Sequence, residues 1–366
     1  MLLKQINLQN FRNIKFASLS LSSKSQFFLG QNAQGKTNLI EAISLLTALR
    51  SFRTQDIRGL IQHGTSEAQI FYIIDHPKEG EMRLLLRLTT QQKELYVNNV
   101  KINRLSDFMG TVPVVVLSSE DMQFLRGMPG LRRRFLDLTL AAMDPEYFND
   151  LRRYHRAIQE RNALLRQHPV SQSMIETYNA ILAPLGFRIH QKRVKELSIL
   201  QLFLTEAYNS MVQELEEPEL IYKPDCILSS EKDFLEIFCQ NFERDRLFKS
   251  TQRGPHRDDL EFKVASKTAR QYASEGQQRG LVVALRLAQI QYFKHYSGLN
   301  PIILVDDVLS QLDPIRSKAF WNSVDSNLQV IGTGTVPPFE SNDRDWQIFQ
   351  VSAGSFNLQN SSQTHA

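Results

Sequence analysis

The chain has 366 residues, 42% of them apolar and 22% charged, with a formal net charge of +4. That length allows two domains, or one large domain carrying an insertion. No stretch approaches the roughly 18 uncharged apolar residues of a membrane span. The start, MLLKQINLQNFRNIKF, changes polarity every few residues and lacks the apolar run of a signal peptide. A cytoplasmic protein with no membrane partner is therefore expected. Cys226 and Cys239 show neither CxxC spacing nor a nearby His cluster, so buried or incidental thiols are expected rather than a disulfide or zinc site.

In chain order, KQINLQNFRNIKFASLSLS alternates at period two and SQFFLG is a short apolar strand, which together read as two strands closed by a tight turn. NLIEAISLLTAL then has helical spacing. Short strands follow at AQIFYIID, EMRLLLRLTT and KELYVNNVKI, the last with a hairpin turn at Asn98-Asn99, and TVPVVVLSS is a further buried strand. From about Leu131 the texture becomes helical. Asp144 is the expected N-cap of a helix with Pro145 at its first position, and Pro184 is expected to kink or break the helix that follows. Strand texture returns near ELIYKPDCIL and DDLEFKVAS. PIILVDD has the continuous apolar run of a parallel strand covered on both faces. The last residues, SFNLQNSSQTHA, read as a frayed tail.

Gly30-Gln31-Asn32-Ala33-Gln34-Gly35-Lys36-Thr37 fits GxxxxGK[ST] between a strand and a helix. Glycines there let successive N–H groups surround phosphate oxygens. Lys36 can reach the β- and γ-phosphates, and the Thr37 hydroxyl can ligate magnesium. Asp306 and Asp307 close the strand Ile302–Val305, where a carboxylate faces the P-loop across the sheet and can hold magnesium through water. Ser274-Glu275-Gly276 opens an apolar helix and offers a hydroxyl, N–H groups and the positive dipole end to an anion. After a P-loop and before an acidic strand end, it reads as the signature turn of an ABC-type ATPase, which completes a partner subunit's nucleotide site.

With these motifs stand NFRNI, GQNAQGKTNLIEAI, SSEDMQFLRGMPGLRRRFLD, ERNALL, TQRGPHRDDL, SEGQQR and ILVDDVLSQLD. From end to end the chain resembles the RecF family of bacterial recombination mediators, relatives of the SMC and ABC ATPase heads. The resemblance implies an α/β fold: an ABC/SMC-head-like P-loop ATPase domain, from 1–140 and 250–366, interrupted by a mainly α-helical subdomain at 141–249. The helix at 274–293 would pack with either. ATP and Mg2+ are the implied cofactors, with Lys36 and Asp307 catalytic and Thr37 and Asp306 at the metal. Asp307 stands where most ABC ATPases carry a glutamate that polarises water, and a shorter carboxylate predicts slow turnover. Ser274 and Gly276 would touch the γ-phosphate held by the other protomer, and Ser310–Asp313 matches a turn along the dimer interface. Arg12, in the NFRN strand, is a candidate for the base or ribose, with an exposed strand arginine as the alternative. No histidine follows the next strand, where QVIGTGT offers Thr333 and Thr335.

The resemblance further implies an ATP-driven homodimer that binds DNA at junctions of single- and double-stranded segments and at gaps. It would cooperate with RecR and RecO and load RecA in repair, replication restart and the SOS response. The chain's own support is basic: nine Lys/Arg against four Asp/Glu between Asp150 and Leu200. Arg152, Arg153, Arg156, Arg161, Arg166, Lys192, Arg193 and Lys195 could meet phosphates, or could form a merely solvated surface. His256, Arg257 and Asp258 of the GPHRDD stretch could order a turn or face nucleotide or DNA. Two other classes compete. A transporter nucleotide-binding subunit usually has a histidine after the acidic strand, and an SMC-type structural ATPase has long heptad arrays; neither feature is present. The favoured reading is a weak ATPase working as a nucleotide-controlled clamp.

Overall fold

The computed structural model describes residues 1–54, 56–211, 216–308, 314–337 and 344–359. They fall into two compact units, the first holding Met1–Asp121 and the described residues from Val282 onward, the second most of Met122–Leu281.

In the first unit β1 (Leu2–Phe11) and β2 (Ile14–Ser20) form a hairpin about Arg12-Asn13, so the alternating N-terminal stretch is two strands by itself, and β3 (Ser25–Leu29) makes a third. After β3 come α1 (Lys36–Ala48), β4 (Glu67–His76), β5 (Gly80–Thr89), β6 (Lys93–Val97), β7 (Val100–Lys101) and β8 (Val114–Ser118). Asn98 and Asn99 take φ +49° and +66°, which is why asparagines turn the β6–β7 hairpin. Among the described residues the antiparallel sheet runs β2-β1-β4-β5-β6-β7. Every second residue of β4 is buried, as one-sided packing requires, and Tyr72 from that face donates its hydroxyl to the Ala42 carbonyl of α1 at 2.7 Å.

The second unit carries α2 (Gln123–Arg126), α3 (Pro129–Met143), α4 (Pro145–Leu165), α5 (Gln172–Met211), β9 (Pro218–Lys223), α6 (Glu231–Gln240), α7 (Phe242–Phe248), β10 (Asp259–Val264), β11 (Lys267–Thr268) and α8 (Ala269–Tyr272). Asp144 caps α4 by accepting the Glu146 and Tyr147 N–H groups, both at 2.9 Å. α5 runs through Pro184 without a break. A Cβ on Gly186 would stand 2.6 Å from the Phe234 ring, so the helix lies close against α6 just past the proline. The unit also contains the sheet β11-β10-β9 and takes in α3 and residues up to Leu281.

α9 (Glu275–Ser297) leads back to β12 (Ile302–Asp306), α10 (Pro314–Ser323), β13 (Val330–Gly334), β14 (Trp346–Ser352) and β15 (Ser355–Leu358). These strands form the other sheet of the first unit, ordered β15-β14-β3-β13-β12-β8 among the described residues. All neighbours are parallel except β14 and β15. Residues of β12, β13 and β8 are buried throughout, matching the apolar runs of β12 and β8. Leu304, Ile331 and Phe28 of this sheet share one core with Ile40 and Ile43 of α1 and with Ile70 and Leu84 of the antiparallel sheet.

Candidate functional site

β3 ends at Leu29 and α1 begins at Lys36, so the loop between them leaves the sheet at its carboxyl edge. Gly30 is close-packed: a Cβ there would lie 2.5 Å from the Val351 carbonyl oxygen. Gly35 has φ +108°, a left-handed value suited to glycine, and caps α1 without any side-chain bond to the first-turn N–H groups. No acidic residue occupies that first turn. The helix therefore presents uncapped donors and its positive dipole end, a cradle that fits an anion such as a phosphate. From the other side the β14–β15 turn grips the loop. Gly354 N–H donates to the Gln34 carbonyl at 2.8 Å, and Ala353 N–H to Gln34 Oε1 at 2.7 Å. Gln31, Asn32 and Ala33 are exposed along the loop.

Lys36 is buried and curls back over the loop, donating to the Gly30 carbonyl at 2.5 Å and the Gln31 carbonyl at 2.9 Å. Burial pulls its ammonium below the usual lysine range, and the nearby Asp307 and Asp306 oppose that shift. Asp306 ends β12 and is 7% exposed. Its Oδ1 accepts the Thr37 hydroxyl at 3.0 Å and the Thr333 hydroxyl at 2.8 Å. Burial raises this carboxyl above the ordinary aspartate range, against the two hydroxyl bonds, which favour the charged form. A divalent cation between Thr37 and Asp306 would supply the missing positive charge. Among the described residues no cluster of three or more His, Cys, Asp or Glu could hold a metal alone. A hydroxyl and one carboxylate are a donor set that fits Mg2+ completed by phosphate oxygens and water. Asp307 follows with φ +53°, half-buried.

Thr333 is one of the two threonines that this strand offers in place of a histidine. It reaches Asp306 because β13 lies between β3 and β12, with Thr333 paired to Asp306 in register. A second unforeseen pair anchors the strand beside it. The Asp121 carboxylate, which accepts the Ser118 N–H at the end of β8, is held in two bonds by Arg286 of α9, at 2.7 and 2.9 Å.

Arg12 is not on a strand but at the β1–β2 turn, with φ +55°. Its Nε and one terminal nitrogen donate to the two Glu41 oxygens at 2.9 and 2.7 Å. Glu41 is wholly buried in α1 and also accepts from Ser51 and, at 3.4 Å, from Arg53. Both donors are thus spent on fixing the turn beside the P-loop, and Arg12 is not the simply exposed arginine of the alternative reading.

In the second unit Ser274 is exposed just before α9. Its hydroxyl accepts the Gln277 N–H at 3.2 Å, and its own N–H donates to Gln277 Oε1 at 2.7 Å, a reciprocal cap. Gln278 fastens the turn by donating to the Ala273 carbonyl at 3.0 Å while accepting from Arg126 at 2.8 Å. Gly276 sits half-buried in the first turn. Ser310–Asp313 lies outside the described residues.

The basic stretch divides. Arg161 and Arg193 are buried and do not face solvent, a correction to their place among the phosphate contacts. Arg161 donates to Asp245, Thr251 and Asn179, and Arg193 to Asp137, Asp258 and the Pro255 carbonyl. Lys192 pairs with Asp144 and Glu196. Arg152, Arg153, Arg156, Arg166 and Lys195 are exposed. Within GPHRDD, Asp258 accepts from Arg193, Tyr222 and the Asp225 N–H, and His256 meets the Tyr154 hydroxyl at 2.9 Å, so both order the turn. Burial drops His256 to a pKa of about 4. Arg257 remains on the surface.

The RecF/RecN/SMC N-terminal domain model matches residues 2–352. A protein of Streptococcus thermophilus named "DNA replication and repair protein RecF" is 35% identical over 340 residues, 92% of each chain. One of the same name from Streptococcus gordonii is 33% identical over 360 residues, 97% of this chain and 99% of its own. Among solved structures, the recombination mediator protein RecF-ATP in the RecFOR pathway superposes with a TM-score of 0.89 at 27% identity, covering 98% of this chain and 97% of the other. An Smc head bound to the C-winged helix domain of ScpA shares the fold at TM-score 0.55 and 16% identity, covering 98% of each chain. With the site built on an ABC/SMC-head-like α/β fold and relatives spanning nearly its whole length, the chain belongs to the RecF family.

Proposed function

We propose that this protein is an ATP-binding, DNA-binding protein of replication and recombinational repair, in which ATP with Mg2+ joins two copies. The convergence of Thr37 and Thr333 on a buried Asp306, with Lys36 curled over the loop at the mouth of an uncapped helix, carries the reading. The loop N–H groups and Lys36 bind the β- and γ-phosphates once Lys36 exchanges its carbonyl partners for phosphate oxygens. Thr37 and Asp306 hold the cation, which screens the phosphate charge, and Asp307 orients the attacking water. Ser274 and Gly276 of a second copy, on the prebuilt cap, cover the γ-phosphate. ATP then stabilises the dimer because it binds the joined state better than the separate ones, and slow hydrolysis releases it. The names of the relatives support DNA replication and repair, and their RecFOR titles support action with RecR and RecO. On this reading the dimer grips gaps and junctions of single- and double-stranded DNA in the cytoplasm and favours RecA loading, replication restart and SOS induction.

Asp306→Asn tests the site. It retains one oxygen to accept from Thr37 and Thr333 but removes the charge. Calorimetry with ATP should show Mg2+ strengthening binding to the parent by tenfold or more and leaving the variant unchanged. Equal Mg2+ enhancement in both proteins would place the cation elsewhere.

A further inference from the structure

α4 carries an uncompensated basic stripe. Arg152, Arg156 and Arg166 are exposed and recur with Gln159 and Ala163 at helical spacing, so their side chains leave one face. None of the three makes an ion pair among the described residues, while Asp150, the carboxylate just upstream, is held in two bonds by Arg188. Among the described residues no ion pair joins Arg156 to the exposed Glu160 one turn beyond it. Arg126, Arg132, Arg161, Arg188, Arg193, Arg246, Arg253 and Arg279 of this unit each meet a carboxylate. Arg152 and Arg156, four residues apart, repel across one helical turn, an arrangement that costs a few tenths of a kcal/mol. Arg166 also suits the helix C-terminus, so Arg152 and Arg156 are the more diagnostic.

We infer that the α4 face bearing Arg152, Arg156 and Arg166 is a binding surface for the phosphate backbone of DNA. The inference rests on the DNA-binding reading above and assigns it a place. From Arg152 to Arg166 the stripe extends about 21 Å, at 1.5 Å per residue, long enough to follow several phosphates. Contacts to phosphates fix position on the backbone and carry no sequence information, so an affinity carried by these arginines through phosphates has no sequence preference.

The test compares the parent with Arg152→Ala/Arg156→Ala on a fluorescent duplex bearing a single-stranded gap, with ATP and Mg2+, between 50 and 200 mM salt. Loss of two phosphate contacts lowers the slope of log affinity against log salt by about 1.8, which is about a tenfold smaller affinity change across that range. Arg152→Lys/Arg156→Lys should restore the slope, since a point charge suffices. ATP affinity and circular dichroism should match the parent in every variant, which separates charge from folding. A parental slope in the alanine variant overturns the assignment while leaving DNA binding intact. A parent that binds no DNA overturns the broader reading, and this one with it.

Discussion

Arg161 gives the sharpest contrast between a charge read in sequence and a charge placed in the fold. It is wholly buried, with its guanidinium 2.7 Å from Asp245 Oδ2, 2.8 Å from both Thr251 Oγ1 and Asn179 Oδ1, and stacked on Phe238 at 5.3 Å. Asp245 is buried too, and its other oxygen accepts the Gln252 N–H at 2.8 Å. Arg161→Met leaves that carboxylate desolvated and without its cation, which costs about 3–5 kcal/mol, a large fraction of the ~5–15 kcal/mol typical of a whole domain. Adding Asp245→Asn removes the stranded charge and keeps an acceptor for Gln252, so the double variant should recover at least half of the loss. Urea unfolding followed by circular dichroism measures both. A single-variant loss below about 1 kcal/mol, the size of a surface pair, would refute the buried network, as would a double variant no better than the single. The same substitution should leave the DNA salt slope at the parental value wherever the protein remains folded.

A pH effect follows from His256, whose pKa in the folded protein is about 4 because it is buried. Between that value and the ~6.5 of an unfolded histidine the unfolded chain binds more protons, so stability is lost as pH falls from about 6.5 to 4. His190, also lowered by burial, adds with the same sign. His256→Gln should flatten this part of the curve in thermal melts taken across pH 4–7, and an unchanged slope would count against a neutral buried imidazole.

The phosphate site was legible because its chemistry is contiguous: Gly30, Gly35, Lys36 and Thr37 share one loop, and Asp306 ends a strand whose apolar run announces it. What was hidden depends on residues brought together from afar. Thr333 meets Asp306 only through the strand order that places β13 between the two motif strands. Arg12 looked like a strand residue because alternation continues across a turn built on φ +55°, and its partner Glu41 sits among helix residues that read as simply amphipathic. Arg161 and Arg193 appeared as solvated charge because their carboxylates, Asp245 and Asp258, come from segments far along the chain. Pro184 lies inside α5 without breaking it, and the Phe234 ring that packs close on Gly186 just beyond it comes from a segment far along the chain.

In the proposed mechanism the P-loop is half of a nucleotide site that a second copy completes through Ser274. Sedimentation at saturating Mg2+-ATP tests this most directly, comparing the parent with Ser274→Arg, which places a bulky charge on the exposed cap. The parent should sediment as a dimer, and the variant should bind ATP with parental affinity and remain a monomer. A parent that stays monomeric at saturating ATP, or a variant that dimerises as the parent does, would contradict it.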